Sequence, residues 1–152
     1  MLTPLTIEPV QFLVVKPNDL HVYWEFLERG LKDIVRKVQP DWLPPDVYGA
    51  IRADVAVAVI ARRGERPVGF AVWHRQERPW SHKLDLFIWA VWSIPPCEQQ
   101  RGDDIKQVMR EGMEYLEGVK RSIGAMSKIA ISSRRGLIKK YGLKERFVTF
   151  EV

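Results

Sequence analysis

Residues 84–92 read LDLFIWAVW, and Asp85 is the only charge among them. Lys83 and the Pro95-Pro96 pair bound the run closely, and aliphatic and aromatic residues fill it. A stretch this short and this apolar does not alternate between a wet and a dry side. It reads as a strand, the most apolar part of the chain, and VAVAVIAR (55–62), continuous and small, reads as a strand covered on both faces. Such a strand dictates layers above and below it, because a sheet with one solvated face would leave half of these side chains in water. The remainder of the chain must supply helices for two faces.

The periodicity supplies them. From Leu20 the apolar residues fall at Leu20, Tyr23, Trp24, Leu27, Leu31, Ile34, Val35 and Val38, one face of an α-helix. Asn18 or Asp19 is placed to cap its start, and Pro40 stops it. The prolines of LPPDVYGAIRAD suit the first turn of a second, weaker helix. Ile105, Val108, Met109, Gly112, Leu116, Val119 and Ile123 form a further stripe, which Gly124 ends. Strand patterns cover Val10–Val15, Val55–Arg62 and Val68–Gln76, the last two joined as a hairpin through RGERP with Gly64 as pivot. KIAIS (128–132) reads as a short buried strand. Ser133 can cap a short helix over 134–141 that Gly142 would close, and RFVTFEV (146–152) alternates as a last strand. The order is β-α-α-β-β-β-α-β-α-β. It predicts an α/β (α+β) protein: one mixed, mostly antiparallel sheet flanked by helices, in a single domain over residues 1–152, with a right-handed β-α-β crossover.

Composition excludes more than it identifies. At 152 residues the chain buries about two-thirds of its unfolded surface, so one core suffices without metals or disulfides. Cys97 is the only cysteine, which rules out an internal disulfide and a multi-cysteine zinc site and makes a reducing, cytoplasmic compartment the expectation. No apolar run approaches membrane-spanning length, and MLTPLTIEPV lacks the pattern of a signal peptide. The formal net charge is +5, with Glu145 the only acid amid the basic residues from Lys120 to Arg146. Such a segment attracts anions, although a solvated face is its simplest meaning. No aromatic interleaving supports nucleic-acid binding. His21, His74 and His82 stand at no metal-ligand spacing, and no Ser-His-Asp or Cys-His arrangement can be argued. Cys97 is a weak nucleophile candidate whose simplest reading is inert. Trp73, Trp89 and Trp92 are expected between sheet and helices. Trp42 and Trp80, in proline-rich loops, are expected to be exposed and available to a protein or ligand.

Two local patterns add a resemblance. After the apolar strand and Pro96 comes Gln99-Gln100-Arg101-Gly102-Asp103-Asp104 and then a helix. Later, SRRGLIKKYGL (133–143) combines a polar residue at a strand end, a short helix and a closing glycine. Their order and spacing, with the PVGFAVW hairpin, resemble the GCN5-related N-acetyltransferase family over nearly the whole chain, except that the final family strand is missing. In that family a loop of form [Q/R]-x-x-G-x-[G/A] and the following helix N-terminus hold the coenzyme A pyrophosphate, through unpaired amides and the positive end of the helix dipole. The resemblance implies a coenzyme A site made by Val91, Trp92, Gln99, Gln100, Arg101, Gly102, Asp103, Asp104 and Ser133. It implies acetyl-CoA as the possible cofactor, no metal, and either a protein partner or a small-molecule acyl acceptor. It also implies a cytoplasmic protein, or a virion-associated one, since small divergent members are encoded by bacteriophages among other sources.

Departures from the pattern set the functional expectation. Asp104 stands where the family has a small residue, and with Asp103 it brings negative charge toward the phosphates, opposing them by about 1 kcal/mol each. The two aspartates also stabilise the first helical turn without any ligand. The family's proton-donating tyrosine would fall at Ile138, and Ser133 stands in place of an asparagine, where capping is its simpler role. The candidates left for acid–base work are Asp85, Glu98 and Tyr141. Asp85 has the alternative of facing solvent on a strand edge, and Tyr141 of packing at the core edge. The sequence therefore points to a divergent acetyltransferase-like binding or assembly module with weakened or lost acetyl-CoA binding. The alternative is an acyl-CoA-dependent N-acetyltransferase.

Overall fold

The computed structural model describes residues 9–99, 105–130 and 144–145. Strand β1 (Val10–Val15) leads through a 3-10 turn (Pro17–Asp19) into α1 (Leu20–Val38) and α2 (Pro44–Arg52). Then come β2 (Val57–Arg63), β3 (Arg66–Glu77), β4 (Leu84–Ser93), a second 3-10 turn (Pro96–Glu98), α3 (Ile105–Ile123), β5 (Ala125–Ala130) and the two-residue β6 (Lys144–Glu145). The expected helix over 134–141 and strand over 146–152 lie outside the described residues. The strands form one sheet in the order β1-β2-β3-β4-β5-β6. β1 to β4 pair antiparallel in succession, and β4, β5 and β6 pair parallel. The mixed, mostly antiparallel sheet of the sequence reading is thus observed, with α3 crossing between β4 and β5.

Both faces of the sheet are covered. Leu20, Leu27, Leu31 and Ile34 of α1 and Val47 and Ile51 of α2 pack on Val15, Ala58, Ile60, Phe70, Val72 and Ala90 of the sheet. Met113 and Leu116 of α3 cover Leu86 and Ile88 on the other face, and Val108 covers Ala61, Val68 and Ile94. Each fully buried Leu or Ile contributes roughly 1.5–3 kcal/mol. Glu117 of α3 also reaches Lys128 of β5 at 2.6 Å. Hydrogen bonding from Lys128, against a smaller effect of burial, holds the Glu117 carboxyl below its ordinary range.

The helix ends follow local chemistry, with one correction. Asp19 occupies the cap position of α1 but makes no side-chain cap bond; the 3-10 turn begun by Pro17 brings the chain into the helix instead. Gln39 adopts a left-handed conformation and donates its N–H to the Val35 carbonyl at 3.0 Å, closing α1 ahead of Pro40. The Leu43 N–H is capped by Asp46 at 2.8 Å where α2 begins. Gly64 (φ 57°) and Gly124 (φ 73°) take the left-handed turns expected of them. Trp42 is a second correction. Only 6% of its surface is exposed, because it lies over the sheet edge-on to Trp89 with ring centroids 6.2 Å apart. Trp80, at 81% exposure, is as exposed as expected.

Two glycines mark opposite kinds of packing. A Cβ on Gly30 of α1 would lie 2.7 Å from both Phe70 Cζ and Trp92 Cδ2, so α1 approaches β3 and β4 only because this residue has no side chain. A Cβ on Gly112 of α3 would meet nothing nearer than Phe12 Cε1 at 4.0 Å. Gly30→Ala should therefore cost about 1–3 kcal/mol as an overpacked contact, and thermal denaturation should show a clear fall in Tm. Gly112→Ala should raise stability by about 1 kcal/mol through helix propensity alone. A neutral Gly30→Ala or a destabilising Gly112→Ala in urea titrations would contradict these packing assignments.

Candidate functional site

β4 and β5 pair in parallel from Leu84↔Ala125 to Ile88↔Ala130. Beyond Ile88, β4 continues through Ser93 with no described strand on that side. Next to the last paired residue β4 carries a bulge: Trp73 of β3 faces Ile88 and Val72 faces Ala90, so Trp89 is the extra residue. A bulge bends its strand and re-aims side chains. Trp89 and Ala90 consequently both pack with α1 and α2, while Ile88 and Val91 pack beneath α3. The indole N–H groups of Trp73 and Trp89 flank this position, both shielded from solvent and without a hydrogen-bond partner among the described residues. An unsatisfied buried donor costs about 1–3 kcal/mol.

Of the residues implied in coenzyme A binding, Val91 and Trp92 lie on this unpaired length of β4. Gln99 is half-buried just after the 3-10 turn that ends in Glu98. Gln100, Arg101, Gly102, Asp103, Asp104 and Ser133 lie outside the described residues, as does Tyr141. The Trp92 side chain turns away from the gap and is held from several directions. Its indole N–H donates to Asp33 Oδ2 at 2.9 Å, Phe70 and Phe26 pack on the ring at 5.7 and 5.5 Å, and the Arg29 guanidinium lies over it at 5.4 Å. Asp33 also accepts from Arg36 at 2.6 Å and Lys37 at 2.9 Å. Partial burial pushes the Asp33 carboxyl up, but the bonds from Trp92, Lys37 and Arg36 outweigh it and hold the group well below the usual carboxylate range.

The two described carboxylate candidates are both paired. Asp85 does not face solvent: it is buried, and its two oxygens accept from Arg78 Nε and Nη2 at 2.9 Å each. That bond, against some burial, raises the Arg78 guanidinium above its already high range. Glu98 is exposed and pairs with Arg29 of α1. Cys97 is exposed. His74 stacks on Phe87 with centroids 5.0 Å apart, and His82, in the Trp80 loop, bonds Glu77 at 2.7 Å. Among the described residues no cluster of His, Cys, Asp and Glu is arranged to hold a metal. No helix among them is long and apolar enough to cross a membrane. Arg29, Asp33 and Arg78 were missed by sequence reasoning. Asp33 and Lys37 are visible as an ordinary i,i+4 surface pair, but nothing local announces a bond to Trp92 across 59 positions.

Comparison of the whole structure with solved ones gives a consistent class. Ribosomal-protein-alanine N-acetyltransferase from Brucella melitensis biovar Abortus 2308 matches over 95% of this chain and 98% of its own, with TM-score 0.65 and 15% identity. A predicted acetyltransferase from Clostridium acetobutylicum, solved with acetyl-CoA, matches over 95% and 96%, with TM-score 0.63 and 15% identity. Aminoglycoside N-acetyltransferase AAC(6')-Iy in complex with CoA matches over 99% of each chain, with TM-score 0.63 and 16% identity. No protein-family model matches the sequence, and no curated protein matches it significantly. The chain has the fold of the GCN5-related N-acetyltransferases.

The Asp33 network has a pH signature. A carboxyl depressed in the folded state adds stability above its unfolded value of 3.8 and loses it progressively as pH falls below that value. Wild type should exceed Asp33→Asn by about 1–2 kcal/mol at neutral pH, and the difference should narrow by about pH 2. Urea titrations at the two pH values measure it, and a constant difference would exclude this linkage.

Proposed function

We propose that the protein binds an acyl-CoA along β4 beyond Ile88 and passes the acyl group to an amine acceptor. The observation carrying this reading is the Trp89 bulge in β4, directly after Ile88, the last residue paired with β5 among the described residues. Backbone amides and carbonyls there can pair with an extended amide-bearing chain as they would with a strand. The bulge residue Trp89 also carries a buried indole N–H that has no hydrogen-bond partner among the described residues. A bound acyl-CoA supplies an activated thioester. Val91 and Trp92 would hold it through their backbone, and Gln99 leads into the segment that includes Gly102, whose missing side chain suits close approach by phosphate. In the transfer, an acyl carbon–nitrogen bond forms as the carbon–sulfur bond breaks, and the proton lost by the amine ends on the sulfur. The acceptor is a small-molecule amine or a protein amine.

A second reading is favoured by a specific observation. Asp85 and Glu98 are both held in ion pairs, and Ile138 stands where the family pattern has a proton donor. With Asp103 and Asp104 opposing phosphate, the fold would then serve as a binding or assembly module.

Thermal scanning decides between them. Acetyl-CoA at about a hundred times its Kd should stabilise the protein by about 2.7 kcal/mol, equivalent to roughly 5–10 °C in Tm for a chain of this size. No shift at millimolar concentration, with no heat in calorimetry, would exclude the acyl-CoA reading. Asp104→Gly should tighten binding about fivefold if charge opposition of about 1 kcal/mol is what weakens it. Under the module reading wild type is silent and Asp104→Gly gains binding.

A further inference from the structure

Between α3 and the sheet lies an apolar cavity of about 30 Å³, bordered among others by Phe12, Ala71, Val91, Met109, Gly112 and Met113. Protein cores are packed to crystal density, so unfilled space of this kind is uncommon. Its walls show how it is kept. Gly112 faces it without a side chain, and Phe12, the nearest atom to any added Cβ, is 4.0 Å away. Ala71 is small, and Met109 and Met113 are unbranched and adapt to irregular gaps. With apolar walls and few polar partners the space does not favour ordered water. Val91 ties it to the candidate site: its side chain packs beneath α3 with Met109, while its backbone lies on β4 beyond Ile88, the last residue paired with β5 among the described residues.

We infer that the acyl group this protein carries is longer than acetyl, of three or four carbons, with its tail over Val91 in this cavity. The inference rests on the acyl-CoA reading above. The size sets the chain length. A cavity of 30 Å³ holds roughly two water-sized groups, and a methylene or methyl is of that size. Acetyl would leave the space empty and lose the contacts its walls can offer. Longer chains would have to displace Met109 or Met113.

Calorimetric titration of the purified full-length chain with CoA, acetyl-CoA, propionyl-CoA, butyryl-CoA and hexanoyl-CoA tests this without any turnover. Each added methylene up to butyryl should tighten binding about threefold to fourfold. Butyryl-CoA should therefore bind about tenfold more tightly than acetyl-CoA, and hexanoyl-CoA should gain nothing further. Gly112→Ala places a methyl in the space and should collapse the butyryl-to-acetyl ratio toward one. Met109→Ala enlarges the space and should move the optimum to a longer chain. If that second variant fails to fold, Gly112→Ala alone decides, since its substitution favours the helix. Equal affinity for all the thioesters, with CoA itself bound, would overturn the chain-length inference and leave the acyl-CoA reading standing. A preference for butyryl unchanged in Gly112→Ala would overturn the placement of the tail. No binding of CoA or any thioester would overturn the reading and the inference together.

Discussion

The position of Trp92 is the constraint on which the rest of this structure depends. Its ring lies between β4 and α1, and α1 comes close enough to seat it only because residue 30 is glycine. Asp33 takes the indole N–H, so the ring is fixed in orientation as well as in depth. Burial of the aromatic surface supplies most of the energy, and the hydrogen bond supplies direction. Arg29 lies over the same ring and reaches Glu98, so one helix grips both the end of β4 and the turn that follows it. The exposed ion pair contributes little by itself. It gains meaning from geometry, since the backbone of Trp92 borders the gap while its side chain is anchored on the opposite side.

The architecture was legible where pattern and burial agree. VAVAVIAR asked for cover on both faces, and the apolar stripes of 20–38 and 105–123 supplied it. The bounds moved only slightly: β2 begins at Val57 rather than Val55, which is exposed, and β5 begins at Ala125 ahead of KIAIS. Legibility failed where a residue's environment is set by a distant element. Trp42 reads as a loop aromatic until the Trp89 bulge presents an indole for it to pack against. A bulge has no signature in a run of apolar residues, so the side-chain alternation of β4 could not be read past Ile88. Asp85 was ambiguous for a related reason. Its partner, Arg78, lies just beyond the end of β3, in the connection to β4.

The candidate site shows the same division. The length of β4 that has no β5 partner among the described residues carries the two strand residues that the family resemblance singled out, Val91 and Trp92. Its likeness to coenzyme A-bearing structures is a likeness of fold at 15–16% identity. What separates this chain from a simple copy of that plan is charge. Both described candidates for acid–base work are already held by arginines, Asp85 in a part-buried pair with Arg78 and Glu98 in an exposed one with Arg29. The part-buried pair is the harder to disturb, because separating it would leave an uncompensated charge in a poorly solvated place.

The strand order also bears on how the chain is made. Every strand pairs with its neighbours in sequence, so the sheet can grow in the direction of synthesis. β4 can dock on β3 as soon as it emerges, yet its other edge must wait until residues 94–124 have followed. At ribosomal speeds of 5–20 residues per second that is roughly 2–6 s. For that interval the most apolar strand of the protein presents an open edge, the feature that most invites wrong partners. β5 later covers it only as far as Ile88 among the described residues. The candidate ligand site thus lies on the edge that stays open longest while the chain is being made.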